Sequence, residues 1–221
     1  MEKKLVFFMP YIGGGGVEKN LFLIANYFSK KKKDVFLISC SKKYKYKFNK
    51  SIKFISPKRN TNEKLNIRLK YLISLYYLFL FLIKNKHTVV FAFQANIYAI
   101  VLCKLLNITI IARSNSSPEG WYHNWFKKFL YSRIISLADI VIVNSKEFKI
   151  QMEKKFGIKP KCIFNPLNKK EIFIKSKIKI KNSPFKKKNE LKILNIGRFT
   201  EQKNQITIIK AAKILENKNF K

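Results

Sequence analysis

The chain has few of the residues that build metal sites and disulfide frameworks. It contains three cysteines, Cys40, Cys103 and Cys162, and two histidines, His87 and His123. The cysteines lie far apart, and no CxxC or Cys/His spacing occurs. The sequence therefore disfavours a disulfide scaffold and a zinc site. We expect a chain of a reducing cytoplasm that carries no metal and no bound cofactor.

Acidic residues are scarce as well, with 12 Asp and Glu against 47 Lys and Arg, and the formal net charge is +35. Such a charge attracts nucleic acid, anionic lipid or a polyanionic substrate. The excess is almost all lysine, because only five residues are arginine. A general solvated lysine surface explains this pattern as well. Nucleic acid is disfavoured as a partner, since arginine is rare and no basic-aromatic reader motif is present.

Long apolar runs are absent. The most apolar stretch, YLISLYYLFLFLI at residues 71–83, has 13 residues, whereas a membrane span needs about 20. Its flanks are basic, which leaves a buried helix, the favoured interpretation, or an interfacial one. The apolar start of the chain is interrupted by Pro10 and four glycines, so we interpret it as a first strand rather than a signal peptide.

The rest of the sequence alternates apolar strand patterns with helical ones, which predicts a Rossmann-like, doubly wound parallel α/β sheet over residues 1–168. A lysine-rich linker is predicted at 169–190, and a first βα unit of a second, incomplete α/β domain at 191–221. Strands are predicted at 4–8, 34–39, 52–56, 88–93, 108–113, 139–144, 161–165 and 191–196. Helices are predicted at 17–31, 63–84, 95–106, 121–137 and 145–157, with one more after Lys203.

The glycine run GGGGVEKN follows the first strand. Glycines at a helix start let a ligand approach the backbone N–H groups closely. The dinucleotide pattern G-x-G-x-x-G fails, because Glu18 stands at its last position when the count starts at Gly13. Ser39, Cys40 and Ser41 stand where an acidic ribose ligand is expected, so NAD is disfavoured. A plain flexible turn is the alternative.

Polar residues follow three later strands. Arg113 and Asn115 end a buried strand and are candidates for contact with a polar acceptor, whereas Glu119 and His123 nearby fit loop or cap residues better. Asn144 and Glu147 fit a capping box at the start of a helix. Arg198 and Lys203 lie near another helix start and are candidates for binding a diphosphate.

Together these motifs resemble the retaining, nucleotide-sugar-dependent glycosyltransferases of family 4, which have the two-domain GT-B fold. The matching stretches are GGGGVEKN, ARSNSS, LADIVIVNSKE, IFNPLN and ILNIGRFTEQKNQITIIKAAKIL. The resemblance implies a first domain that binds a glycan or lipid-linked acceptor and a second that binds a UDP- or GDP-sugar without a metal ion. It implies that Gly15 and Gly16 face the donor, and that Arg198 and Lys203 hold its diphosphate.

The family's later motif with two glutamates has no counterpart in this sequence. We therefore expect a truncated hexosyl-type glycosyltransferase of cell-surface polysaccharide synthesis, inactive or weakly active as this chain. The alternative is a non-catalytic acceptor- or partner-binding module that pairs with a separate donor-domain chain. Peripheral contact with the inner face of the membrane fits both hypotheses, through residues 71–83 and the aromatic cluster Trp121, Tyr122, Trp125 and Phe126.

Overall fold

The computed structural model describes residues 3–58, 65–94, 96–115, 125–179 and 192–217. The chain divides into two compact units, Met1–Asn168 and Lys169–Lys221. The strands, all in the first unit, are β1 (Lys4–Phe8), β2 (Val35–Ile38), β3 (Lys53–Ile55), β4 (Thr88–Ala92), β5 (Thr109–Ser114), β6 (Ile140–Val143) and β7 (Lys161–Cys162). The helices are α1 (Gly16–Lys31), α2 (Ile67–Lys84), α3 (Asn96–Leu105), α4 (Trp125–Ser136), α5 (Lys146–Phe156), α6 (Lys169–Ser176) and α7 (Gln205–Asn217).

The first unit is built on one sheet with the order β3-β2-β1-β4-β5-β6-β7, in which every pairing is parallel. The order reverses between β1 and β4, and crevices at such a point are where open α/β sheets bind ligands. The predicted doubly wound α/β sheet is confirmed. The strands read as continuous apolar runs because helices or loops cover both of their faces.

The two faces of the sheet are covered unequally. Helices α2 to α5 contribute buried side chains to the cluster on one face, among them Leu78, Ile100, Ile135 and Met152. On the other face, α1 packs together with the segment around Phe48. That segment holds a 3-10 turn, Lys45–Lys47, which the sequence did not predict.

Helix α2 buries a single stripe of side chains. Lys70, Ser74, Leu78 and Leu82 recur at intervals of four residues and are buried. The rest of the apolar run is largely exposed, with Leu72 at 63% and Tyr76 at 59%. The run is therefore only partly a core helix, because packing on a sheet uses one face of a helix. Within the described residues, no helix combines the length and apolar character needed to cross a bilayer.

Asp139 joins the start of β6 to its neighbours. Its carboxylate accepts hydrogen bonds from the backbone N–H of Ile110 and from Lys104 Nζ, each at 2.8 Å. Burial raises the pKa of this carboxyl, but the Ile110 N–H and the Lys104 ammonium outweigh burial and hold the pKa below its usual value. These two hydrogen bonds join the start of β6 to α3 and β5, at the edge of the sheet opposite to the glycine loop.

The second unit differs from its prediction in two places. Residues Lys169–Ser176 form helix α6, where we expected an irregular linker. Residues 192–198 form no strand, and Leu194 and Ile196 are 68% and 87% exposed. A strand needs a hydrogen-bonded neighbour, and the described part of this unit supplies none. The predicted strand at 191–196 is therefore wrong.

Candidate functional site

The glycine loop joins β1 to α1 at the carboxyl edge of the sheet. Gly14 has a φ of +86°, which side chains rarely adopt, and a Cβ there would lie 2.6 Å from the Tyr44 hydroxyl. Gly15 is the N-cap residue of α1, without a side-chain cap hydrogen bond, and a Cβ on it would lie 3.0 Å from Glu18 Oε2. At Gly16, by contrast, a Cβ would meet nothing within 4 Å. The loop is closed by protein at Gly14 and Gly15 and open at Gly16.

Glu18 braces this loop, a role that the sequence analysis missed. The side chain is 8% exposed, and Oε1 accepts a hydrogen bond of 3.1 Å from the Gly13 N–H. A carboxylate in the first turn of α1 interacts favourably with the positive end of the helix dipole. The negative charge of Glu18 therefore weakens the attraction of this helix end for a phosphate. An acidic residue in the first turn after a glycine run was the signal available in the sequence.

Tyr44 closes the other side of the loop, and sequence reasoning missed this residue too. Its hydroxyl donates to the Gly13 carbonyl at 3.4 Å, and its ring lies 5.3 Å from Lys47 Nζ. Lys47 also lies over the ring of Phe22, which belongs to α1. Tyr44, the N-cap residue of the 3-10 turn, thus contacts the glycine loop, and Lys47 packs on Tyr44 and on α1. No local pattern indicates this contact, because Tyr44 and Gly13 are 31 residues apart.

Arg113, the penultimate residue of β5, is a buried cation. Its side chain is 1% exposed and stacks 5.7 Å from the centre of the Phe93 ring. Nε donates to Asn115 Oδ1 at 3.1 Å, and Nη2 donates to Asn165 Oδ1 at 2.7 Å. Both partners are neutral amides, and no described carboxylate pairs with the guanidinium. Burial lowers the pKa of Arg113 from its ordinary value, since the charge has left water.

Asn165 extends this arrangement to the glycine-loop helix. Its Oδ1 also accepts a hydrogen bond of 2.9 Å from Asn20 Nδ2, and Asn20 lies in α1. The Arg113 guanidinium and the Asn20 amide therefore hold the segment that follows β7. Asn115, in turn, donates to the Phe93 carbonyl at 3.3 Å. The structure brings the two predicted acceptor residues together, but it turns Arg113 inward and leaves only Asn115 partly exposed.

The cap of α5 is Ser145 rather than the predicted Asn144. The Ser145 hydroxyl accepts hydrogen bonds from the N–H groups of Glu147 and Phe148, at 3.1 and 3.4 Å. Serine and asparagine are both strong N-cap residues, and the backbone of Ser145 is extended, as a cap requires. The capping box of Asn144 with Glu147 is wrong by one residue. Asn144 Oδ1 is buried and has no donor in the described parts of the chain.

In the second unit, Arg198 and Lys203 lie in the short segment that precedes α7. The Gln205 side chain donates to the Arg198 carbonyl at 2.8 Å, and a Cβ on Gly197 would come within 3.5 Å of Lys203 Cγ. Lys203 ends a 3-10 turn, and Asn204 follows in the left-handed conformation with a φ of 45°. Both cations are exposed near the N-terminus of a helix of 13 residues. Such an arrangement favours an anion.

Other candidates add nothing to this picture. Glu119 and His123 lie outside the described residues, as do Trp121 and Tyr122. Among the residues that the structure describes, no group of three or more His, Cys, Asp or Glu side chains could hold a metal ion.

Comparison with protein families assigns the first unit to a known family. The sequence profile of Glycosyltransferase Family 4 matches residues 14–169, which is most of the chain. The chain belongs to Glycosyltransferase Family 4. The match begins in the glycine loop and ends just after the first unit. No curated protein matched the chain.

Solved structures agree on the fold. HepE of Anabaena in complex with UDP has a TM-score of 0.52 and 13% identity, and the match covers 74% of this chain and 44% of HepE. HepE with UDP-glucose gives a TM-score of 0.52 at 14% identity, covering 75% and 44%. UGT2 of Phytolacca americana, complexed with UDP-2-fluoro-glucose and pterostilbene, gives 0.50 at 12%, covering 75% and 54%. This chain spans less than half the length of HepE. Its sheet has the Rossmann-like GT-B architecture of these transferases.

Proposed function

We propose that this family 4 chain is the acceptor-side part of a hexosyl-type glycosyltransferase. The reaction would transfer a sugar from a UDP- or GDP-sugar to a glycan or lipid-linked acceptor in cell-surface polysaccharide synthesis. The observation that carries the proposal is the family match over residues 14–169. Structures of similar fold that hold UDP or UDP-glucose support the choice of donor. As this chain alone, we expect weak or no turnover.

The chemistry assigns different tasks to the two groups of donor residues. Glycosyl transfer develops positive charge on the sugar and negative charge on the leaving diphosphate. Arg198 and Lys203 would stabilise the diphosphate, because fixed cations at a helix start act on charge as it forms. At the glycine loop Glu18 already provides a negative charge, so Gly15 and Gly16 would act through close backbone approach to the donor rather than through an anion site.

Gly16→Ala tests this role with little disturbance of the fold. A Cβ at Gly16 meets no protein atom within 4 Å, and alanine favours a helix over glycine, so the variant should be at least as stable as the unchanged protein. If the donor sugar approaches this backbone, the added methyl group should weaken donor binding or turnover by roughly tenfold. Gly157→Ala, at the end of α5, is the control for lost stability alone, because its φ of +65° is strained for alanine and the residue is remote from the loop.

The measurement is a titration with UDP-glucose and other UDP- and GDP-sugars, followed by calorimetry or ligand-observed NMR. It compares this chain with a longer chain that carries a complete second domain. Donor binding and sugar transfer that Gly16→Ala reduces would support the transferase. If neither chain binds a donor but the first unit binds glycans, the non-catalytic module is the better description and the transferase proposal fails.

Peripheral contact with an anionic membrane is a further part of the proposal. Helix α4 exposes Trp125, Phe126 and Phe129 beside basic residues, and the chain has a net charge of +35. Aromatic side chains with adjacent lysines bind the interface of an anionic bilayer.

We expect the protein to sediment with phosphatidylglycerol vesicles but not with phosphatidylcholine vesicles. Trp125→Ser should weaken this binding several-fold, more than Tyr46→Ser, which removes an equally exposed ring elsewhere. Equal loss from both changes would contradict an α4 contact.

A further inference from the structure

Helix α2 carries an exposed apolar stripe that the proposed donor and acceptor residues do not use. The stripe consists of Leu69, Leu72, Tyr76, Phe79 and Ile83, and each of these residues is at least 39% exposed. Its members are alternately three and four residues apart, which is the heptad spacing by which one helix packs along another. The stripe faces away from the sheet, because the buried residues of α2 lie on its other side.

Helix α3 extends this surface. It packs beside α2 over the same face of the sheet, and it exposes Tyr98, Val101 and Leu105, which repeat the spacing of three and four residues. The exposed apolar side chains of the two helices together present roughly 800 Å². Each partner in a stable protein interface contributes about that area, whereas the largest apolar patch of a monomer is usually smaller.

The charges near the stripe indicate what covers it. Between the first and last members of the stripe the only charged residue is Lys70, which is buried. On α3 the only charged residue is Lys104, and its ammonium is paired with Asp139. Anionic lipid or an acidic partner is attracted by cations set among the apolar residues, as on α4. A surface that lacks such cations is better matched by a second copy of itself.

The stripe matches itself when two copies of α2 run antiparallel about a two-fold axis near the middle of the helix. Leu72 of one copy then faces Ile83 of the other, and Tyr76 faces Phe79, so that aliphatic residues meet aliphatic ones and rings meet rings. We propose that this chain forms a two-fold dimer through the outer faces of α2 and α3. The contact leaves the glycine loop accessible, because α1 packs on the opposite face of the sheet.

Sedimentation equilibrium of this chain over a range of concentrations tests the dimer. We expect the mass to rise with concentration and to stop at two chains, because a two-fold contact is closed. Tyr76→Glu should raise the dissociation constant of the dimer by at least about tenfold, since each dimer would bury two unpaired carboxylates. Tyr27→Glu is the matched control, because Tyr27 lies on α1, is 60% exposed against 59% for Tyr76, and changes the net charge equally. It should alter the constant by less than about twofold.

Two further variants test which residues face each other. Tyr76→Lys and Phe79→Glu should each weaken the dimer, because each places an unpaired charge in the contact. An equimolar mixture of the two should associate about tenfold more tightly than either variant alone, since the lysine of one copy faces the glutamate of the other. The comparison is independent of any loss of stability, because both variants are present in the mixture and are also measured alone.

Salt separates this dimer from a lipid contact. A protein of net charge +35 repels its own copies, so the dimer should strengthen when salt is raised, whereas binding to anionic vesicles weakens. The proposal is overturned if the chain stays monomeric at about 100 μM and raised salt, if Tyr76→Glu and Tyr27→Glu have equal effects, or if the mixture fails to associate. It is equally overturned if Tyr76→Glu abolishes sedimentation of a monomeric chain with phosphatidylglycerol vesicles, because lipid would then cover the stripe.

Discussion

Arg113→Ala is expected to lower the free energy of unfolding by about 3 kcal/mol. The change removes one of the largest fully buried side chains and two hydrogen bonds from a charged donor, to Asn115 and Asn165. Arg113→Met should cost less, about 1 kcal/mol, because methionine refills the space and removes the penalty of burying a charge without a carboxylate. Chemical denaturation followed by circular dichroism measures both values.

Arg133→Ala is the matched control, because Arg133 is exposed on α4 and its loss should change stability by no more than about 0.5 kcal/mol. Equal effects of Arg113→Ala and Arg133→Ala would show that the buried network does not form in solution. The methionine variant also tests the acceptor role assigned from the sequence. If it folds and still binds the acceptor, Arg113 acts by holding the loop after β7, and not by touching the acceptor.

The second large effect that we expect is a loss of affinity for the sugar donor. We expect Arg198→Ala and Lys203→Ala each to weaken binding of a UDP-sugar by roughly tenfold, because each removes a cation from the diphosphate. The turn that draws Lys203 over Gly197 and ties Arg198 to Gln205 places both cations at the start of α7. Calorimetric titration with UDP-glucose measures the loss in each variant.

Lys210→Ala and Lys213→Ala remove the same charge from the same helix, farther from its N-terminus. A general attraction of the diphosphate to a protein of net charge +35 would make all four variants alike and would fade with added salt. A specific cradle predicts that only the first two variants lose affinity, and that the difference persists at raised salt. The comparison therefore separates a site from a charged surface.

Local patterns predicted the first unit well. Each strand of its sheet was found within a predicted range or displaced from one by a single residue, because runs of buried apolar residues between helices have few other uses in a parallel sheet. The second unit shows the limit of that reasoning. The run at 191–196 has a strand-like sequence, yet residues 192–198 remain unpaired and exposed, since a strand also needs a neighbour.

The candidate site divides in the same way. The glycine run, Asn115 and the Arg198–Lys203 pair could be named from the sequence, because each is a short pattern at a strand end or helix start. The inward turn of Arg113 could not be predicted, since its partner Asn165 lies 52 residues away. The contact of Tyr44 with the glycine loop was equally hidden, since Tyr44 and Gly13 are 31 residues apart. Glu18 was the exception, because an acidic residue in the first turn after a glycine run is a local signal.

By itself, the sequence determined the doubly wound sheet, the membership in Glycosyltransferase Family 4 and the glycine loop after β1. These depend on apolar periodicity and on short motifs, which are local properties of the chain. Only the tertiary structure decided that the loop is open at Gly16 alone, that Arg113 is buried among amides and that Tyr44 contacts the glycine loop. Those features arise from contacts between segments far apart in the chain, and no local pattern encodes them.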